Sequence, residues 1–123
     1  MKSILENLNR SVGVIGSAVV TPDGMLVASA IADASERLGG GHDQDALAAI
    51  ASSLVLSAGR SLKRLGAEMS VMTVDGSRGK IVLVNADSTF LLVITDSGIS
   101  LDATMIDIRV AVERLQRRIS LDA

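Results

Sequence analysis

The chain has 123 residues, 48% of them hydrophobic, with 12 Lys+Arg against 14 Asp+Glu for a net charge of -2. Phe90 is the whole aromatic complement and cysteine is absent. These counts remove the positive field and stacking platform of a nucleic-acid binder, and the thiols of a disulfide framework, thiolate catalysis or a cysteine-ligated metal.

Ile4, Leu5 and Leu8, spaced among Lys2, Glu6, Asn7, Asn9 and Arg10, predict a short amphipathic helix ended by Ser11 and Gly13. The β-branched run Val12 to Thr21, the turn Pro22-Asp23-Gly24 and the following MLVASAI predict a β-hairpin. Lys2 and Arg10 before the uncharged run Val12 to Val20 imitate a signal peptide. Glu6 within the basic region and the turn at Pro22 argue against one, so a cytoplasmic location is expected.

Residues 32–45 carry charges and the triplet Gly39, Gly40 and Gly41, and read as a mobile connection. Asp43 or Asp45 then caps a long helix reaching about Leu65, with Gly66 as its stop. Leu47, Ile50, Ala51, Leu54, Ala58, Leu62 and Leu65 fall on one side and are expected in the core. Ala48, Ala49, Ser52, Leu56 and Gly59 lie around the other, where a solvent-facing helix would carry a polar coat. The uncharged stretch Ala46 to Gly59 is shorter than the roughly 20 residues that cross a bilayer, so it reads as a buried helix and no membrane insertion is expected. Its small residues would let another helix approach closely.

Three further strands are predicted at Met69 to Asp75, Lys80 to Ala86 and Thr89 to Thr95. Their short connections require an antiparallel meander, and the continuous runs IVLV and FLLVI call for a sheet covered on both faces. Ser100 caps a last helix from Leu101, with Met105, Ile108, Val112, Leu115 and Ile119 facing inward. Arg117 and Arg118 are placed in its last turn, where they suit the helix dipole. The predicted fold is α+β, of order αββαβββα. It is a five-stranded antiparallel sheet with the long central helix on one face and the terminal helices on the other, in a single domain spanning 1–123.

Candidate chemistry is sparse. Gly39-Gly40-Gly41-His42-Asp43 feeds a helix N-terminus but lacks the Lys and Ser/Thr that close a phosphate loop. His42 is the only histidine, which with Asp43 and Asp45 falls short of a zinc site and offers no serine elbow a base. No catalytic residue, metal or cofactor is therefore expected, and the chain is expected not to be an enzyme. The basic groups Arg60, Lys63 and Arg64, and Arg109, Arg114, Arg117 and Arg118, read as dipole compensation or as contacts for an acidic partner surface.

The opening helix, the segment Gly13 to Val20, the Asp23-Gly24 turn, the Ala/Leu-rich stretch ending in Leu65-Gly66 and Leu91-Leu92-Val93-Ile94 before the last helix together resemble the roadblock/dynein light-chain family. That resemblance covers nearly the whole chain. It implies a profilin-like domain that homo- or heterodimerises through its long helix and the adjoining edge strand. The dimer seam would then be Ala48, Ala49, Ser52, Leu56 and Gly59 with Met69, Val71 and Thr73. It also implies regulation of a Ras-like small GTPase without a donated catalytic residue, as in the MglB-like GTPase-activating proteins. The alternative is an interaction scaffold or light chain with no effect on nucleotide turnover.

Overall fold

Five runs rich in Val, Ile, Leu and Thr pair into one antiparallel sheet. The computed structural model describes residues 1–31 and 44–122, so Gly39, Gly40, Gly41, His42 and Asp43 lie outside the described residues. The elements are α1 (Lys2–Leu8), β1 (Val14–Val20), β2 (Leu26–Ala30), α2 (Gln44–Lys63), β3 (Val71–Asp75), β4 (Lys80–Ala86), β5 (Thr89–Thr95) and α3 (Leu101–Asp122). The strands lie in the order β2-β1-β5-β4-β3. The first and last strands in sequence are thus neighbours at the centre, with Ala18 opposite Leu92, and they join the hairpin to the meander. β2 and β3 are left as the two edges.

Period-two alternation sorts the strand residues onto two faces. Val19, Val82, Val84, Leu91 and Val93 pack under α1 and α3, against Leu5, Leu8, Ile108 and Leu115. Val20, Leu83, Phe90, Leu92 and Ile94 point the other way, towards Ala48 and Ala51 of α2. The unbroken apolar runs of β4 and β5 therefore have the physical cause expected of them, since each face has its own helical cover.

The boundaries of β4 and β5 are those predicted. β3 begins two residues later than expected. Met69 and Ser70 are held instead by Asn85, whose side-chain amide donates to the Met69 carbonyl at 3.2 Å and whose backbone N–H donates to the Ser70 carbonyl at 2.9 Å. Ser100 accepts the backbone N–H of Asp102 at 3.4 Å, as an N-cap should. Because α3 continues to Asp122, Arg117 and Arg118 stand before its last turn rather than in it. At the other long helix, Asp45 lies inside the first turn and is not the cap. Gly66, at φ +73, closes α2 while the Ala67 N–H returns to the Leu62 carbonyl at 2.9 Å.

The orientation of α2 differs from the sequence expectation. Ala48, Ala51 and Ser52 are buried, whereas Ile50 is 50% and Leu65 80% exposed, so neither of the latter is a core residue. The sheet already supplies the bulk on this face through Phe90, Leu83, Leu92 and Ile94. What remains between sheet and helix suits small side chains. The Ser52 hydroxyl donates to the Pro22 carbonyl at 2.5 Å, and a β-carbon on Gly24 would lie 3.5 Å from that of Ser52. The helix thus rests on the β1–β2 turn through its smallest residues, with Leu47, Leu54 and Val55 partly buried against the same core and Ile50 and Leu56 turned outward.

Candidate functional site: an outward helix face and an edge strand

The outward side of α2 is assembled from Ala49, Ile50, Ser53, Leu56 and Ser57, all exposed. Leu56 is 43% and Ile50 50% exposed, on opposite shoulders of this side. Charges sit only at the two ends of this face, Asp45 at the start and Arg60, Lys63 and Arg64 at the finish. A helix exposed in an isolated globular domain is ordinarily coated with Glu, Lys and Gln along its length.

The edge strand β3, which contributes Met72 to the α2 side of the sheet, is paired with β4 on one side only. Val71, Thr73, Val74 and Asp75 are exposed, and one carboxylate is the only charge along the strand. Edge strands are usually protected by lysines, prolines or bulges, because their free N–H and C=O groups template pairing with another strand. β3 carries none of these and pairs in unbroken register with β4 from Val71↔Val84 to Asp75↔Lys80.

Between the second half of α2 and the start of β3 is a cavity of about 550 Å³. Pro22, Leu56, Gly59, Met69 and Phe90 line it, with Arg60 and Lys63 on the helix side and Glu68 and Asp87 on the other. Two cations and two carboxylates leave it without a net field. Among the described residues there is no group of three or more His, Asp or Glu side chains placed to hold a metal ion. No described helix is long and apolar enough to cross a membrane.

The eight residues expected at a dimer seam separate into two groups. Ala49, Leu56, Val71 and Thr73 are exposed on the helix face and the edge strand. Ala48, Ser52 and Met69 are buried within the protomer, and Gly59 is half-buried in the cavity wall. Within one protomer Ala48 and Ser52 serve the contact of α2 with its own sheet and turn. Ile50 and Ser53 are exposed on the outward side and are not among the expected seam residues. The signal that finds Ser53 is the charge pattern. At about 100° per residue, Asp45, Arg60, Lys63 and Arg64 share one sector of the helix with Ala49, Ser53 and Leu56.

A two-sided sheet with one long helix on one face, two terminal helices on the other and a bare helix-and-edge surface defines a roadblock-type α+β domain. Residues 2–96 match the family model described as Roadblock/LC7 domain. The chain belongs to the Roadblock/LC7 family. It is 31% identical over 114 residues to the uncharacterized protein MJ1340 of Methanocaldococcus jannaschii, covering 92% of this chain and 94% of that one. The solved structure of Myxococcus xanthus MglB superimposes with a TM-score of 0.85 at 21% identity, over 97% of this chain and 94% of the other. The more distant profilin IB of Acanthamoeba castellanii gives a TM-score of 0.63 at 11% identity, over 95% and 97%. These likenesses establish the α+β roadblock fold and its profilin-like character.

Proposed function

We propose that this protein is a cytoplasmic homodimer that binds a Ras-like small GTPase and regulates it by shaping the nucleotide-dependent segments of that partner, without donating a catalytic residue. The observation that carries the reading is the uncoated face of α2 together with the unprotected edge of β3. Such a surface offers a twin both a helix seam and a strand to pair with, joining two five-stranded sheets into one. Charge placement supports a two-fold arrangement. In an antiparallel pair of α2 helices crossing near Ser53 and Leu54, Asp45 of each copy lies alongside Lys63 of the other, on the same shoulder of the helix. The likeness to MglB supports the GTPase as partner, and another solved MglB is described as a tetrameric arrangement.

Two measurements test this. Light scattering on the purified chain is expected to give two copies per particle at micromolar concentration, and a monodisperse monomer would overturn the dimer. Single-turnover GTP hydrolysis by a Ras-like GTPase of the same organism is then followed with and without the chain. Acceleration that disappears in a monomeric variant supports regulation. Binding that leaves turnover unchanged assigns the protein instead to the scaffold class.

A further inference from the structure

The outward face of α3, on the opposite side of the sheet from α2, carries a second apolar stripe. Ile106 is 65% and Val110 42% exposed, with exposed Ala103 one turn earlier. These positions, spaced three and four apart, form one row, while Thr104, Ile108, Ala111 and Leu115 face the sheet. Charges flank the row in a particular order. Asp107 and Arg114 stand on one shoulder, beside the groove between α1 and α3, and Arg109 and Glu113 stand on the other; all four are exposed. On each shoulder one acid and one base lie within two turns of each other.

We propose that this face binds the same face of a second copy of the chain, through an antiparallel α3 pair about a two-fold axis passing close to Val110 and Ala111. A two-fold axis between antiparallel helices brings each shoulder against the same shoulder of the twin, with the chain direction reversed. At that crossing point Asp107 meets Arg114 of the second copy on one side, and Arg109 meets Glu113 of the second copy on the other. Symmetry repeats both pairs. Val110 meets its own counterpart at the axis, and Ile106 lies along the aliphatic stem of Arg117 of the second copy. A crossing moved one turn towards the N-terminus, near Asp107, brings the two Asp107 carboxylates together. One moved a turn towards the C-terminus, near Arg114, brings the two Arg114 guanidinium groups together. The charge order therefore selects a single register. The opposed helix dipoles of an antiparallel pair favour it as well. Asp107 is already oriented, because one of its oxygens accepts the Ser11 hydroxyl at 2.8 Å.

This contact uses a surface separate from α2 and β3, so the two interfaces can be occupied together and chains can assemble beyond two copies. Sedimentation equilibrium of the full chain from micromolar to near-millimolar concentration tests it. The wild type is expected to pass from two copies to four and beyond, since every α2 dimer presents two α3 faces, with the species above two copies weakened by added salt. Ile106→Lys is expected to abolish those species and leave two. Asp107→Arg alone should weaken the α3 contact about tenfold, and Asp107→Arg combined with Arg114→Asp should restore it, because the swapped charges meet again across the axis. Leu56→Glu, on the other interface, should leave pairs held by α3 alone. A wild type that never exceeds two copies while Ile106→Lys does not change its mass would overturn the proposal, as would a double swap that fails to restore association. A wild type of two copies that Ile106→Lys converts to monomer supports the α3 contact and removes the α2 dimer instead.

Discussion

Gly13 and Gly24 both adopt positive φ, +83 and +93, yet their surroundings differ. A β-carbon on Gly13 would lie 2.4 and 2.5 Å from the terminal carbons of Ile99, whereas one on Gly24 meets Ser52 at an ordinary 3.5 Å. Gly13→Ala is therefore expected to cost about 3 kcal/mol, backbone strain plus the displacement of Ile99. Gly24→Ala should cost about 1 kcal/mol, from backbone strain alone. Urea denaturation of the two variants checks this, and equal midpoints would contradict it. Ser52 gives a second test at the same scale. Ser52→Ala should lose about 1 kcal/mol with the hydrogen bond to Pro22, and Ser52→Leu about 2 kcal/mol or more by forcing α2 off the turn. A Ser52 that faced outward would tolerate both. The sequence shows that residue 24 needs glycine, through its Asp-Gly turn. It does not show that Ile99, 86 residues away in the chain, closes over Gly13.

At the scale of the element, α2 shows where periodicity runs out. Its length, its stop at Gly66 and its lack of a polar coat are all readable, because they depend on neighbours along the chain. Which side faces the sheet depends on what the sheet brings. With Phe90, Leu83, Leu92 and Ile94 already below, the small residues Ala48, Ala51 and Ser52 make the buried contact, and Leu47 and Leu54 pack only partly buried at its margin. Assigning the largest side chains to the core therefore turns the helix too far. The terminal charges Asp45, Arg60, Lys63 and Arg64 hold the correct orientation, since they mark the solvent side independently of size. Leu56→Glu is expected to raise the dimer dissociation constant at least about thirtyfold, the weight of a buried interface side chain of about 2 kcal/mol, with the far-UV circular dichroism of α2 retained. Ala48→Glu should instead unfold the protomer, because its side chain has no outward path. Sedimentation and circular dichroism together separate the two outcomes.

For the whole molecule, association and stability are linked. A dimer that buries the α2 face and the β3 edge is expected to show a melting temperature that rises with protein concentration, by mass action. Leu56→Glu should reduce that dependence to the part that α3 pairing supplies, and a wild-type melting temperature that is the same at micromolar and near-millimolar concentration would argue against the linkage. By itself the amino-acid order determined the αββαβββα succession, the strands from Lys80 to Ala86 and Thr89 to Thr95, and the two-sided covering of the sheet. Each follows from local propensity or from unbroken apolar runs along a strand, and both are written in neighbouring residues. It also implied the family, through turns and runs that lie close together in the chain. Only the tertiary structure decided that β1 joins β5 at the centre and leaves β3 as an edge. Only there does α2 turn its small residues inward, and only there do Ile106 and Val110 of α3 remain uncovered. Those outcomes depend on which distant surfaces fill one another first, and no window of sequence contains both partners of such a contact.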